Sequence, residues 1–457
     1  MTVTDDPTDP VRRDVAHLLR RAGFGGSSAE VDALAGLGYE GAVEAVVAPL
    51  TSGVADAAAD AVVAPTFDTA GYLAARDGSP EERRAAAVQA RAERRELILW
   101  TVRRMAAAER PVREKLTFLW HDHFATSLEK VKVAQLLANQ HRTLRELGPG
   151  RFDQLVHAVA RDPAMLIWLD GRESTAAAPN ENFARELLEL FTLGHGAPAP
   201  DGHEHDHETA QPYTETDVAE AARALTGWTI DPTGGGGALR PGRFDRGTKT
   251  VLGTTGPLGL DDVVTIVTEH PACAPHIVST LWSRLARPGG PDDPVVVELA
   301  ADFAADLDTA ALIRSILLHP EFRTEASRTG LVKMPVEYVV GIHRALGLTP
   351  GVGVLVTLDA LGQTPFAPPD VSGWTANEGW LSTASALARL QLATAIDPGD
   401  ALDPVAWAAP DDRAAALARL LGVEGWGNAS AAALANVVDD PRTMLTVGLV
   451  APEHVLN

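Results

Sequence analysis

The chain has 457 residues, 46% of them hydrophobic and 22% charged, with 39 Lys+Arg against 61 Asp+Glu and a formal charge of −22. That length fits one large domain or two to three smaller ones with a sizeable core, and the acidic excess speaks against generic binding to nucleic acid or an anionic membrane surface. A single cysteine, Cys273, excludes an internal disulfide and any multi-cysteine zinc or iron–sulfur site.

Residues 1–13 read as a mobile acidic tail without the basic and apolar regions of a signal peptide. No apolar run reaches about 18 residues, so no transmembrane helix and a cytoplasmic protein are expected. Ala, Leu, Arg and Glu dominate the long segments and alternating β-branched runs are scarce, which predicts an all-α protein with long loops and little or no β-sheet. Asp14–Ala22 and Ala29–Leu50 are predicted helices joined by Gly23-Phe-Gly-Gly-Ser-Ser, with Ser28 as the cap of the second. Residues 51–80 read as a loosely helical insertion. Glu81–Ala108 is a long charged helix, and Pro111 can open the next one.

Helices are further expected over 112–125, 129–146, 151–160, 180–193 and 215–226. In Arg113-Glu-Lys-Leu-Thr-Phe-Leu-Trp-His-Asp-His-Phe, a pitch of about 100° per residue puts Leu116, Leu119, Trp120, His123 and Phe124 on one stripe. His121 points away from His123, so one metal does not take both in a regular helix. Desolvation of His123 favours a neutral imidazole, fit either to ligate a metal or act as a base, or to sit in the core bonded to a carbonyl.

In Pro179-Asn-Glu-Asn-Phe-Ala-Arg-Glu-Leu-Leu-Glu-Leu-Phe-Thr-Leu-Gly, the residues Phe183, Ala184, Leu187, Leu188, Leu190 and Phe191 form an apolar arc. Asn182, Arg185, Glu186 and Glu189 occupy the other side, with Glu181–Arg185 and Arg185–Glu189 spaced to pair along the surface. Either that side faces water, or it is buried against another helix, where its carboxylates and a neutral histidine hold a cation. The E-x-x-H pair of a di-iron bundle is missing, since Thr192 stands three residues after Glu189.

Between Gly194 and Tyr213 lies a Pro-containing loop with His203, His205 and His207. It reads as a solvated polar loop whose histidines bind a metal only adventitiously. Thr214 with Asp217 loosely matches a capping box, and Arg223 and Trp228 either partner the acidic helix or line a pocket. Asp245 and Lys249 sit in a Gly-bounded turn within and after the loop 231–247. No phosphate loop, dinucleotide fingerprint or G-x-S-x-G elbow occurs, and no motif calls for an organic cofactor. Helices resume over 260–269, 273–286, 292–305, 308–318, 335–346 and 383–396, followed by an Ala-rich helical appendage, residues 397–457, on a single large domain, 14–396.

Taken together these segments resemble the bacterial domain of unknown function 1800 family. The matching stretches are His17-Leu-Leu-Arg-Arg-Ala-Gly-Phe-Gly, Arg113-Glu-Lys-Leu…Trp120-His-Asp-His-Phe, Leu169-Asp-Gly, Asn180-Glu-Asn-Phe-Ala-Arg-Glu-Leu-Leu-Glu-Leu-Phe-Thr-Leu-Gly, Tyr213-Thr-Glu…Gly-Trp228, Lys249-Thr-Val-Leu-Gly, Gly362-Gln-Thr-Pro-Phe…Gly-Trp374 and Trp380-Leu-Ser-Thr. They cover roughly residues 14–396. The resemblance implies one large helical domain and, as a plausible partner, a domain of unknown function 1501 protein. Relatives often carry His-Asp where this chain has Phe244-Asp245, and many have His at the position of Phe191, so two candidate ligands are missing here.

The residues thus lead to an expected metal-dependent enzyme, redox or hydrolytic. In it His123 is ligand or base, Glu186 and Glu189 are ligands to a divalent metal, Asn182 orients them and Arg185 is an electrostatic clamp. The alternative is a non-catalytic helical scaffold that binds a partner protein, with the same polar residues as a buried network.

Overall fold

A computed structural model describes residues 10–53, 55–69, 71, 78–195, 212–231 and 236–456. The run His203, His205 and His207 and the first nine residues lie outside them. The described chain is mostly helical, with two small antiparallel hairpins: Trp228–Ile230 pairs with Gly237–Leu239, and Lys249–Val251 with Thr254–Gly256. Among the described residues no single helix is long and apolar enough to cross a membrane; one sharply bent pair, Ser28–Ala35 with Gly38–Thr51, passes by length and composition together.

Several predicted helices are interrupted where the local sequence is weakest. The helix expected over 29–50 divides into Ser28–Ala35 and Gly38–Thr51, because Gly36-Leu37-Gly38 carries two residues of low helix propensity. Its cap is Ser27, not Ser28: the Ser27 hydroxyl accepts from the Glu30 N–H (3.2 Å) and the Glu30 carboxylate from the Ser27 N–H (2.7 Å), a reciprocal capping box. The helix expected over 129–146 is broken at Lys132, and only Ala134–Leu147 is long. Pro163–Trp168 and Gly353–Leu361 are helices without a counterpart among the expectations.

Two large apolar clusters fill the interior. The first joins Leu18 and Leu19 with Leu116, Leu119 and Trp120, the arc Phe183, Leu187, Leu188 and Phe191, and Ile277, Leu281 and Trp282. The second joins Phe24, Val102 and Phe118 with Val336 and Tyr338 and with Leu417, Leu434, Leu445 and Leu449 from the C-terminal helices. The helix Val112–His123 contributes to both, which is why it is buried nearly all round and not along one stripe. It is the axle of the molecule, and the candidate site lies at its C-terminal end.

Polar groups trapped beside this axle are paired. Lys115 forms a buried salt bridge with Glu337, whose other oxygen accepts from the Met334 N–H (2.9 Å). Glu114 accepts from Arg104 (3.0 Å) and Arg145 (2.8 Å). Such pairs leave no lone buried charge along the helix.

Candidate functional site

The helix Glu181–Leu188 does not stop cleanly. It widens into a π-turn over Glu189–Leu193, closed by the Gly194 N–H donating to the Glu189 carbonyl five residues back (2.8 Å). The Thr192 hydroxyl donates to the Leu187 carbonyl (2.6 Å) and stabilises the wide turn. Single π-turns of this kind recur at functional sites. As at any helix end, the last carbonyls have no partner within the helix, and here two imidazoles supply one. His123 Nε2 lies 3.1 Å from the Phe191 carbonyl and His276 Nε2 lies 3.0 Å from the Leu190 carbonyl.

A carbonyl only accepts, so both rings carry their proton on Nε2, and in the neutral ring Nδ1 is left as a lone pair. Both rings are neutral. Burial, followed by the neighbouring His276, holds His123 down at about 3, and burial also lowers His276. A helix C-terminus ordinarily favours a cationic histidine; desolvation overrides it here. The two rings stand 6.1 Å apart, centre to centre, and Gly194 is fitted against one of them. At its φ of +76° a side chain is strained, and a Cβ would lie 2.8 Å from His276 Nδ1.

Both rings line one cavity of about 210 Å³, together with His195, Thr280, Arg284 and Ser372 over a floor of Leu119, Trp120, Leu190 and Leu281. Arg284 is held by Asp122, Nη2 to Oδ2 at 2.5 Å, and Asp122 Oδ1 accepts from the Trp374 N–H at 2.8 Å. Burial raises the Asp122 carboxyl while Arg284 opposes it. Gly373 permits this approach: its φ is +85°, and a Cβ there would meet Asp122 O and Oδ1 at 2.6 Å. At the rim, His195 Nε2 is 2.6 Å from Glu189 Oε1, and the Tyr213 hydroxyl donates to Glu189 Oε2 at 2.9 Å.

The expected site residues are distributed differently. His123 is at the cavity, with the carbonyl bond that the core reading anticipated. Glu189 borders it through His195. Glu186 is half-buried, and burial together with the Glu189 and Asp370 carboxylates pushes its pKa up against the pull of Arg185. Asn182 is exposed. Arg185 does not pair along its own helix; both its terminal nitrogens donate to Glu215 at 2.6 Å. Glu215 opens the helix Glu215–Ala224 packed alongside, and that docking outcompetes the intrahelical spacing. Among the described residues no group of three or more His, Cys, Asp or Glu is close enough to hold a metal ion, so the trio His123, Glu186 and Glu189 is not assembled as a donor set.

His121 faces elsewhere, as its spacing from His123 requires: its Nε2 accepts from the Phe366 N–H (2.9 Å) and burial keeps it neutral, at about 3. Thr214 and Asp217 form a full capping box. Arg223 is a structural partner, bonded to Asp245 and Glu220 at 2.8 Å each. Lys249 is spent on the Asp245 and Gly247 carbonyls and lies 4.8 Å over the Phe244 ring, so Phe244 acts there as a packing partner.

His276 and Arg284 did not emerge from the sequence as site residues. Their signal is the polar stripe His276, Thr280, Arg284, at i, i+4 and i+8 on the otherwise apolar helix Cys273–Leu285. No curated protein and no solved structure matches the chain. The model of the family described as protein of unknown function (DUF1800) matches residues 17–456, extending through the C-terminal helices beyond the 14–396 covered by the motifs, and the chain belongs to that family.

Proposed function

We propose that the protein is a metal-dependent enzyme of hydrolytic type whose chemistry takes place in the cavity between His123 and His276. The observation that carries this reading is the state of the two imidazoles. Each donates its Nε2 proton to a fixed backbone carbonyl and keeps an Nδ1 lone pair, and both rings line one cavity. A ligating histidine is ordinarily oriented by this kind of outer bond. A pKa near 3 makes His123 a poor proton acceptor at neutral pH, whereas a ring that never competes for a proton remains open to a cation. His195, oriented by the Glu189 carboxylate, supplies a third imidazole by moving inward from the rim. Glu189 then acts from outside the donor set, Glu186 tunes its charge, and Asn182 and Arg185 position the helix through its surface contacts.

A divalent ion held by these imidazoles would supply Lewis-acid chemistry for hydrolysis at neutral pH. Arg284, fixed by Asp122, faces the same space and stabilises developing negative charge. The test is metal content with cobalt as the probe. One equivalent of Co²⁺ per chain, with visible d–d absorption, is expected to survive His203→Ser/His205→Ser/His207→Ser and to be lost in His123→Ala and in His276→Ala. A chain that takes up no cobalt, or only through the 203–207 run, overturns the reading.

A second reading, a scaffold for a partner such as a domain of unknown function 1501 protein, is favoured by one observation. Val352 and Val356 (72% and 74% exposed) lie on or beside the helix Gly353–Leu361, and Leu387 and Leu390 are exposed on Thr383–Ala395, which packs against it. Co-elution of the purified pair that Val356→Asp and Leu387→Asp abolish supports that role; co-elution indifferent to both removes this face from it.

A further inference from the structure

The cavity between His123 and His276 is lined by one permanent cation, Arg284, whose hydrogen-bonding capacity is only partly used. Arg284 Nη2 donates to Asp122 Oδ2 (2.5 Å) and to the Trp374 carbonyl (3.3 Å). Its Nε and Nη1 have no hydrogen-bond partner among the described residues and are not sealed from solvent. Asp122 is held where it is, because its second oxygen accepts from the Trp374 N–H (2.8 Å). The charge of Arg284 is felt at the facing ring: behind burial and His276, it too lowers His123. At the rim the sign reverses. Glu189 orients His195 (2.6 Å), and Asp370 Oδ1 accepts from the Ser372 hydroxyl (2.5 Å) and N–H (2.9 Å). After burial, these two carboxylates are what push Glu186 up.

These charges set what the cavity accepts. One guanidinium, shared with Asp122 and approached past carboxylates, matches a single negative charge; a phosphate monoester brings two against the same rim. The floor of Leu119, Trp120, Leu190 and Leu281 favours a short apolar chain within about 210 Å³. We propose that the substrate is a short-chain carboxylic ester or amide, and that Arg284 receives its acyl oxygen as that oxygen becomes an anion. The proposal rests on the reading of this cavity as a hydrolytic site. In such a reaction the oxygen of water bonds the acyl carbon, and the bond to the leaving oxygen or nitrogen breaks with its electron pair. The leaving atom takes one proton of the water, the other passes to solvent, and a carboxylate remains. The acyl group carries one negative charge from the addition step to the product, so the same unpartnered donors serve throughout. Asp122 fixes the guanidinium beforehand, which spares reorganisation during the reaction.

Two measurements on the full chain decide the matter. By isothermal titration calorimetry, butyrate, a product anion, is expected to bind about tenfold or more tighter than its uncharged isostere methyl propyl ketone, and tighter than inorganic phosphate. That preference is expected to vanish in Arg284→Gln and in Asp122→Asn/Arg284→Gln, which removes both charges but keeps an acceptor for the Trp374 N–H. The cobalt-loaded chain is expected to cleave nitrophenyl butyrate, with kcat/KM about a hundredfold lower in the double variant, and to leave nitrophenyl phosphate intact. Equal binding of butyrate and ketone, tighter binding of phosphate, a preference that survives both variants, or an uncleaved butyrate ester overturns the proposal. Should neither variant fold, the wild-type affinities and the two nitrophenyl substrates decide on their own. Cobalt uptake separates this outcome from the reading beneath it. Co²⁺ held through His123 and His276 without a butyrate preference removes only the ester or amide, whereas an Arg284-dependent preference without Co²⁺ removes only the metal.

Discussion

His141 is wedged between Trp100 and Phe366, its ring 5.5 and 5.8 Å from theirs, with neither nitrogen hydrogen-bonded among the described residues. Burial first, then Arg104 and Arg145, depress it to about 3, whereas in the unfolded chain it returns to the ordinary 6.5. Between those values the unfolded state holds the proton and the folded state does not, so stability rises with pH across that window and is lost as pH falls below 6.5. Each such group contributes about 1.4 kcal/mol per pH unit within the window. The thermal midpoint is therefore expected to drop steeply between pH 6.5 and 4.5, and His141→Leu is expected to flatten the slope; identical slopes would remove His141 from the cause. Single residues of this kind are visible in a sequence, but their protonation is not, because it depends on which side chains close over them.

At the scale of elements, the site depends on how chain segments end. The π-turn over Glu189–Leu193 turns an ordinary helix terminus into a pair of carbonyls aimed at His123 and His276. On the opposite wall, Gly373 lets its loop approach Asp122 closely enough for the Trp374 N–H to bond it. Gly373→Ala is expected to cost about 1–3 kcal/mol in urea denaturation, since it adds both a strained φ and a Cβ against a fixed carbonyl. It should also loosen Arg284, weakening any ligand that relies on that charge; unchanged stability would mean the loop shifts without consequence. The apolar arc from Phe183 to Phe191 was legible from its period, and it does face the core. The partner of Arg185 was not: Glu181, Glu189 and Glu215 are equally good carboxylates, and only the packing of the helix Glu215–Ala224 selects the last.

Across the whole molecule, the C-terminal helices share an apolar cluster with the middle of the chain. Leu449 is fully buried, and its carbonyl accepts from the Tyr338 hydroxyl at 3.0 Å. Arg20 and Arg328 both reach Glu424, and Arg328 also reaches Asp14, drawing the first helix to the segment after Leu421. Leu449→Ala is expected to destabilise the chain by about 2–5 kcal/mol, in one transition seen alike by tryptophan fluorescence and far-ultraviolet circular dichroism. Two separate transitions would show that the C-terminal helices unfold on their own.

Helical character, the family, the apolar faces and the divergence of His121 from His123 were all present in the one-dimensional pattern, because propensity and the 3.6-residue period act locally. The gathering of His123, His195, His276 and Arg284 around one cavity was not, nor was the exclusion of Asn182 and Arg185 from it. Those outcomes hang on a widened helix end and on which helices lie side by side, and contacts between residues some 150 positions apart leave no periodic trace in the chain that makes them.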